Sequence, residues 1–126
     1  MDFMDNLAKN YKDIFYLIFR LLIGALFFAH GTMKFANGTP ATLMIIAGVI
    51  ELLVGAMLFL GVWTRWASFF GAGQMLVAYF MVHTGMGPWW NPIANQGELA
   101  LLFFAAFCCS FIIGNGRWNV QSLFSK

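Results

Sequence analysis

Three polar side chains stand inside long apolar stretches, where their presence asks for a reason: Arg20, Glu51 and Gln74. A charged group in hydrocarbon costs about 2.5–3.5 kcal/mol on insertion scales, so each needs a partner or a chemical role. By helical rise, Arg20 lies about 9 Å into its stretch, and Glu51 and Gln74 about 15 Å into theirs. An arginine side chain spans about 6 Å and bends along its helix, so the three are expected to form one layer. Spacing favours that grouping. Arg20, Gly24, Phe27, Gly31 and Lys34 recur at steps of four and three, and Gly48-Glu51-Gly55 and Gly71-Gln74-Ala78 make matching stripes. Small residues beside polar ones let membrane helices approach closely. Two chemistries are open for the layer. Arg20 and Glu51 can be a structural ion pair that fixes helix register, or Glu51 can exchange a proton or receive a quinone headgroup.

A second polar group comprises His30, Lys34, His83 and Glu98. Lys34 reads as an end residue that snorkels to the interface. Asn95-Gln96-Gly97-Glu98 has capping-box spacing, which gives Glu98 a structural reading beside a binding one. Gln74 and His83 are nine residues apart, on opposite faces of an ideal helix, so an inward Gln74 predicts an outward His83. Without H-x-x-x-H or C-x-x-C spacing, neither a metal site nor a haem is expected. Cys108 and Cys109 are adjacent and read as ordinary buried small residues.

The elements that must position these groups follow from composition and length. Of 126 residues 61% are hydrophobic and 10% charged, with a formal net charge of +2, and mean hydropathy is +0.77. Soluble domains carry about a quarter charged residues, so a disordered chain, a nucleic-acid binder and an ordinary cytosolic enzyme are excluded. Four apolar stretches, Ile14–Phe35, Ala41–Leu60, Thr64–Thr84 and Glu98–Ile113, predict an all-α integral membrane four-helix bundle in one domain. Thr39 is the expected N-cap of the second helix, with Pro40 at its first position. Phe3, Met4, Leu7 and Tyr11 predict that residues 1–13 form a short amphipathic segment on the inner membrane surface.

Lys9, Lys12, Arg65, Arg117 and Lys126 flank one side of the membrane and Lys34 the other. The positive-inside rule therefore predicts a cell-membrane protein with both termini cytoplasmic, residues 117–126 forming a tail there.

The polar positions also carry a resemblance. Arg20 with His30-Gly31-Thr32-Met33-Lys34, then Gly48-Val49-Ile50-Glu51 with Gly55 and Leu60-Gly61-Val62-Trp63-Thr64-Arg65, then Glu98-Leu99-Ala100-Leu101-Leu102 leading to Gly114-Asn115-Gly116, resemble the DoxX family of small four-span membrane proteins. Many members continue after the last glycines with serine, leucine and aspartate, whereas Arg117-Trp118-Asn119-Val120 follows here. The resemblance implies a membrane subunit or partner of a redox enzyme, since a DoxD relative belongs to a thiosulfate:quinone oxidoreductase.

The leading expectation is a quinone-linked subunit or partner of a membrane oxidoreductase complex. Glu51 would exchange the proton, Arg20 would hold a negatively charged quinone, Gln74 would bind beside them, and His30 or Glu98 would open a proton route outward. Electrons would come from a redox partner protein, because the chain carries no flavin or iron–sulfur motif. The competing class is a non-catalytic scaffold or assembly subunit; a third is small-molecule or proton transport. Partners in any case are the lipid bilayer and a partner protein or a homo-oligomer.

Overall fold

The computed structural model describes residues 2–36, 38 and 41–125. Four helices follow one another, α1 (Phe3–Met33), α2 (Thr42–Leu60), α3 (Thr64–Met81) and α4 (Glu98–Ile113), with no strand among the described residues. The expected turn and cap at Asn37, Thr39 and Pro40, and the flanking Lys126, lie outside the described residues. Ala41 occupies the N-cap position of α2.

The arrangement is inside-out relative to a soluble protein. Leu22, Leu26, Leu53, Phe69, Val77 and Leu102 are exposed, while Arg20, Glu51, Ser68, Asn95 and Ser110 are buried. Helices α1 and α2 are each long and apolar enough to cross a membrane. In water such a surface would be strongly unfavourable; in lipid it is the expected one. The chain is an integral membrane four-helix bundle.

Helix α1 differs from expectation. Its 31 residues run unbroken from Phe3, a length of about 46 Å against the roughly 30 Å of a hydrocarbon core. Asp2 accepts a hydrogen bond from the Asp5 amide (2.9 Å), and the Asp5 carboxylate accepts from the Asp2 amide (3.3 Å), which closes a capping box. With that start and no Gly or Pro before Gly24, nothing separates a surface segment from the span.

Helices α1 and α2 are antiparallel and touch backbone to backbone. A Cβ added at Gly24 would stand 2.6 Å from the Phe59 nitrogen, and one at Gly55 2.6 Å from the Phe28 nitrogen. The small-residue stripes are therefore the contact itself, as small residues in membrane helices commonly are. Helices α3 and α4 form the second antiparallel pair, joined in their interior by Ser68 and Ser110, whose hydroxyls lie 2.5 Å apart. Phe27 of α1 packs on Phe103 and Phe107 of α4 and joins the pairs into one core. Between α2 and α3 the bundle is looser, and a groove opens there.

Helix α2 ends in a Schellman motif. The Val62 amide donates to Met57 O (2.9 Å) and the Gly61 amide to Leu58 O (3.2 Å), with Gly61 at φ 74°. A methyl at Gly61 would meet Asn119 Cβ at 2.6 Å and Arg20 Cζ at 2.8 Å. Gly61→Ala is therefore expected to cost about 2–3 kcal/mol, from left-handed strain together with overpacking. Denaturant unfolding in detergent measures this, and a loss below about 1 kcal/mol would mean that the surroundings of Gly61 yield.

The last segment is not a free tail. Asn115 Oδ1 accepts from the Thr64 amide (3.0 Å), Gln121 Oε1 accepts from the Trp63 amide (2.8 Å), and the Val120 amide donates to Leu60 O (2.8 Å). The chain after α4 thus folds back to cap the first amides of α3, which have no side-chain cap of their own.

Candidate functional site

Two polar clusters occupy opposite ends of the bundle. The proximal end is where α1 begins and α4 finishes; the distal end carries the α1–α2 connection and the loop from Val82 to Gly97.

The proximal cluster is built around Arg20. Its Nε donates to Leu58 O (2.7 Å) and its Nη1 to Asn115 O, and Tyr16 donates its hydroxyl to Gly114 O. Arg65 donates to Phe111 O (3.0 Å) and Ile112 O (3.2 Å) at the end of α4. Arg65 thus satisfies last-turn carbonyls of α4, and Arg20 adds a second donor to Leu58 O and ties Asn115 O to α1; both guanidiniums sit at negative helix ends, of α4 and α2. Among the described residues, Thr64 Oγ1 is the buried side-chain atom of this cluster that lacks a partner. This cluster is architecture.

The expected Arg20–Glu51–Gln74 layer is corrected on this point. Arg20 bonds α2 at Leu58, seven residues and so about 10 Å along the helix from Glu51. The physical reason is helix register together with side-chain direction. Gly24 packs between Gly55 and Phe59, so Arg20, one turn nearer the proximal end, stands beside the last turn of α2, and the tilt of its Cβ toward the N-terminus of α1 carries it further from Glu51. The same rule corrects Lys34. At the distal end of α1 it leans back into the bundle instead of snorkelling out, and its Nζ lies 3.0 Å from Glu51 Oε1 and 2.8 Å from Oε2.

The Lys34–Glu51 pair is therefore the charged centre of the distal cluster. Glu51 is 2% exposed. Lys34 Nζ is aligned as a hydrogen-bond donor to Oε1, while its approach to Oε2 is an ionic contact without that alignment. Gln74 donates from Nε2 to Ala47 O (3.3 Å), and its Oε1 is buried without a partner. The carbonyl of Ala47 fixes which way the amide faces, because an oxygen turned toward it would be repelled.

Two cavities meet at this pair. One, about 280 Å³, has mixed walls: His30, Lys34, Glu51, His83 and Gln96 are its polar groups, and Phe27, Met75, Leu99 and Phe103 are among its apolar ones. The other, about 560 Å³, is the groove between α2 and α3 and is almost wholly apolar. Glu51, Lys34 and His83 line both, and Gln74 lines the groove alone. Exposed Leu43, Ile46, Val77 and Met81 border the groove, so its mouth faces lipid.

His83 is inward, against the expectation of an outward ring. Helix α3 stops at Met81 and His83–Gly85 forms a 3-10 turn, so the phase of an ideal helix does not carry to residue 83. His83 Nδ1 lies 3.3 Å from Asn95 O. Asn95 holds the loop in turn: its Nδ2 donates to Tyr79 Oη and Pro88 O, both at 2.9 Å, its Oδ1 accepts from the Gly97 amide (2.8 Å), and Tyr79 donates to Trp89 O. Asn95 thus makes an Asx turn in place of the expected box with Glu98, and Gly97 is the N-cap of α4. Glu98 is exposed and lines neither cavity. His30 meets the edge of Phe103 at 5.7 Å between ring centres. Cys108 and Cys109 are exposed on the outer face of α4, not buried. Among the described residues no three His, Cys, Asp or Glu are placed to hold a metal ion.

Glu51, Gln74 and His30, all singled out by residue type in the sequence, lie at the distal cluster, whereas the contacts of Lys34, Asn95, Asn115 and Gln121 were not legible in the sequence. Asn95 carried a signal in its turn sequence Ala94-Asn95-Gln96-Gly97; Asn115 and Gln121 carried none, since their partners are distant in the chain.

A family model for DoxX matches residues 15–84, which include α2, α3 and most of α1. An uncharacterized protein of Haemophilus influenzae is 37% identical over 136 aligned positions, covering 98% of this chain and 99% of that relative. The chain belongs to the DoxX family. No solved structure matches it. The match to the DoxX model includes Arg20, Lys34, Glu51, Gln74 and His83, and so both the proximal arginine and the distal charged pair.

Proposed function

We propose that this DoxX-family protein is a quinone-linked subunit or partner of a membrane oxidoreductase complex, with the groove between α2 and α3 as the quinone site. The observation that carries this reading is one ion pair, the buried Glu51 with the half-buried Lys34, at the junction of a lipid-facing apolar groove and a cavity of mixed walls. A quinone asks for both halves of such a place: apolar walls for the ring and tail, and one or two polar groups for its oxygens. Ile50, Phe70 and Met75 supply walls; Lys34 and Gln74 supply amine and amide groups, and Glu51 a carboxylate. A bound quinone would supply two-electron, two-proton exchange, the electrons passing to or from a redox partner protein.

Within this chain Glu51 takes or returns the proton, and Lys34 takes the part first expected of Arg20, holding negative charge at the ring oxygen. The placement of basic residues supports a cell-membrane location with both termini cytoplasmic, so that the distal end faces outward.

Solvent extraction and a visible–ultraviolet spectrum of detergent-purified protein test the reading. An extractable quinone is expected. Glu51→Gln should weaken quinone retention about tenfold, because a charge-assisted contact is lost. A preparation that carries no quinone and binds none on addition would sink the proposal. A scaffold reading has one observation in its favour: residues 3–12 of α1 extend with no burial against the rest of the bundle, a surface free for a partner protein. Its sign would be a complex that assembles through α1 yet keeps full turnover in Glu51→Gln.

A further inference from the structure

The smaller cavity has a directional consequence. It lies between Glu51 and the distal loop, with His30 on α1, His83 on the 3-10 turn and Gln96 on the loop at its walls. At about 280 Å³ it has room for several water molecules, and its imidazoles, amine and amide provide the polar partners such waters need. On the other side of Glu51 the interior is closed. Phe27, Val54, Leu58 and Phe107 are each at most 4% exposed and fill the space toward the proximal end. Beyond them the Arg20 and Arg65 groups are engaged with backbone carbonyls. The groove offers no alternative, since apart from Gln74 and the groups it shares with the cavity its walls are almost wholly apolar, and its mouth faces lipid.

We infer that Glu51 exchanges its proton only with the distal side of the membrane, through the cavity walled by His30, Lys34 and His83. This rests on the proposed quinone site and adds a side to it. The step concerns the proton alone: H⁺ leaves a Glu51 carboxyl oxygen for cavity water, or returns by the same way, while the electrons travel through the redox partner protein. The groups facing the carboxyl are Lys34 in contact and His30 and His83 across the cavity; Glu98, exposed at the start of α4, lines none of it. Quinone chemistry here would therefore load or unload protons on one face only, which makes the reaction sensitive to the distal pH and not to the proximal one.

Cysteine accessibility tests this without any turnover. In a Cys108→Ala/Cys109→Ala background, Glu51→Cys and Met75→Cys are each reconstituted in vesicles of known orientation and exposed to a charged, membrane-impermeant thiol reagent. Met75 lines the same cavity and carries no charge, so it serves if the Glu51 variant does not fold. Both thiols should react at least tenfold faster from the distal side, and Ser68→Cys, buried on the proximal half, should react from neither. Labelling from the proximal side, equal labelling from both, or none at either cavity position would overturn the inference. Failure of the quinone site would show in the extraction experiment instead, so the two outcomes stay separate.

Discussion

Arg20→Met should lower the unfolding free energy by about 3–5 kcal/mol, because two bonds from a charged donor to backbone carbonyls are lost, leaving one carbonyl with the Gly61 amide alone and the other without this donor. Those carbonyls belong to Leu58 and Asn115, so the loss loosens the end of α2 and the folded-back segment together. Methionine keeps the apolar stem, which confines the change to the guanidinium. Arg20→Lys should recover only part of the loss, since an ammonium cannot present the planar fork that reaches both carbonyls. Denaturant or thermal unfolding in detergent gives the number. Below its melting temperature the Arg20→Met protein should bind ligand in the groove as the parent does, because Arg20 lines neither cavity. A selective loss of binding in a folded variant would return Arg20 to the site.

Lys34→Met should also cost about 3–5 kcal/mol at neutral pH, by leaving the Glu51 carboxylate buried without its counter-charge. The double variant Lys34→Met/Glu51→Leu should regain most of that loss, because a buried pair replaced by packed apolar groups is often neutral or stabilising. A double-mutant cycle measures the coupling, and a double variant no more stable than Lys34→Met would refute the assignment of the loss to an unpaired charge. The contrast that matters is between stability and binding. If the double variant is stable and holds no quinone, the pair is kept for its chemistry.

Much of the fold was legible in the sequence. The four apolar stretches became α1 to α4, and the stripes of Gly24 and Gly55 became the backbone contact between α1 and α2. These are consequences of local composition and period, which a single segment carries in itself. Glu51 was legible too, since a carboxylate in an apolar stretch demands a reason wherever its partner lies. The ends of elements were less so. Helix α1 extends to Phe3 because Asp2 and Asp5 close a box, and α3 halts at Met81, which turns His83 inward.

What the sequence determined by itself was the class of molecule and a short set of buried polar residues. Which of them meet was decided only in three dimensions. Heights counted along separate helices placed Arg20 near Glu51, but the count knows neither the register in which Gly24 docks on Gly55 and Phe59 nor the tilt of each side chain toward its helix's N-terminus. Register sets Arg20 beside the turn that carries Leu58, and tilt brings Lys34 back onto Glu51. The docking of Asn115 and Gln121 on the start of α3, and the two cavities that converge on Glu51, likewise depend on segments far apart in the chain. Pairing across helices is a property of their packing, and no single segment contains it.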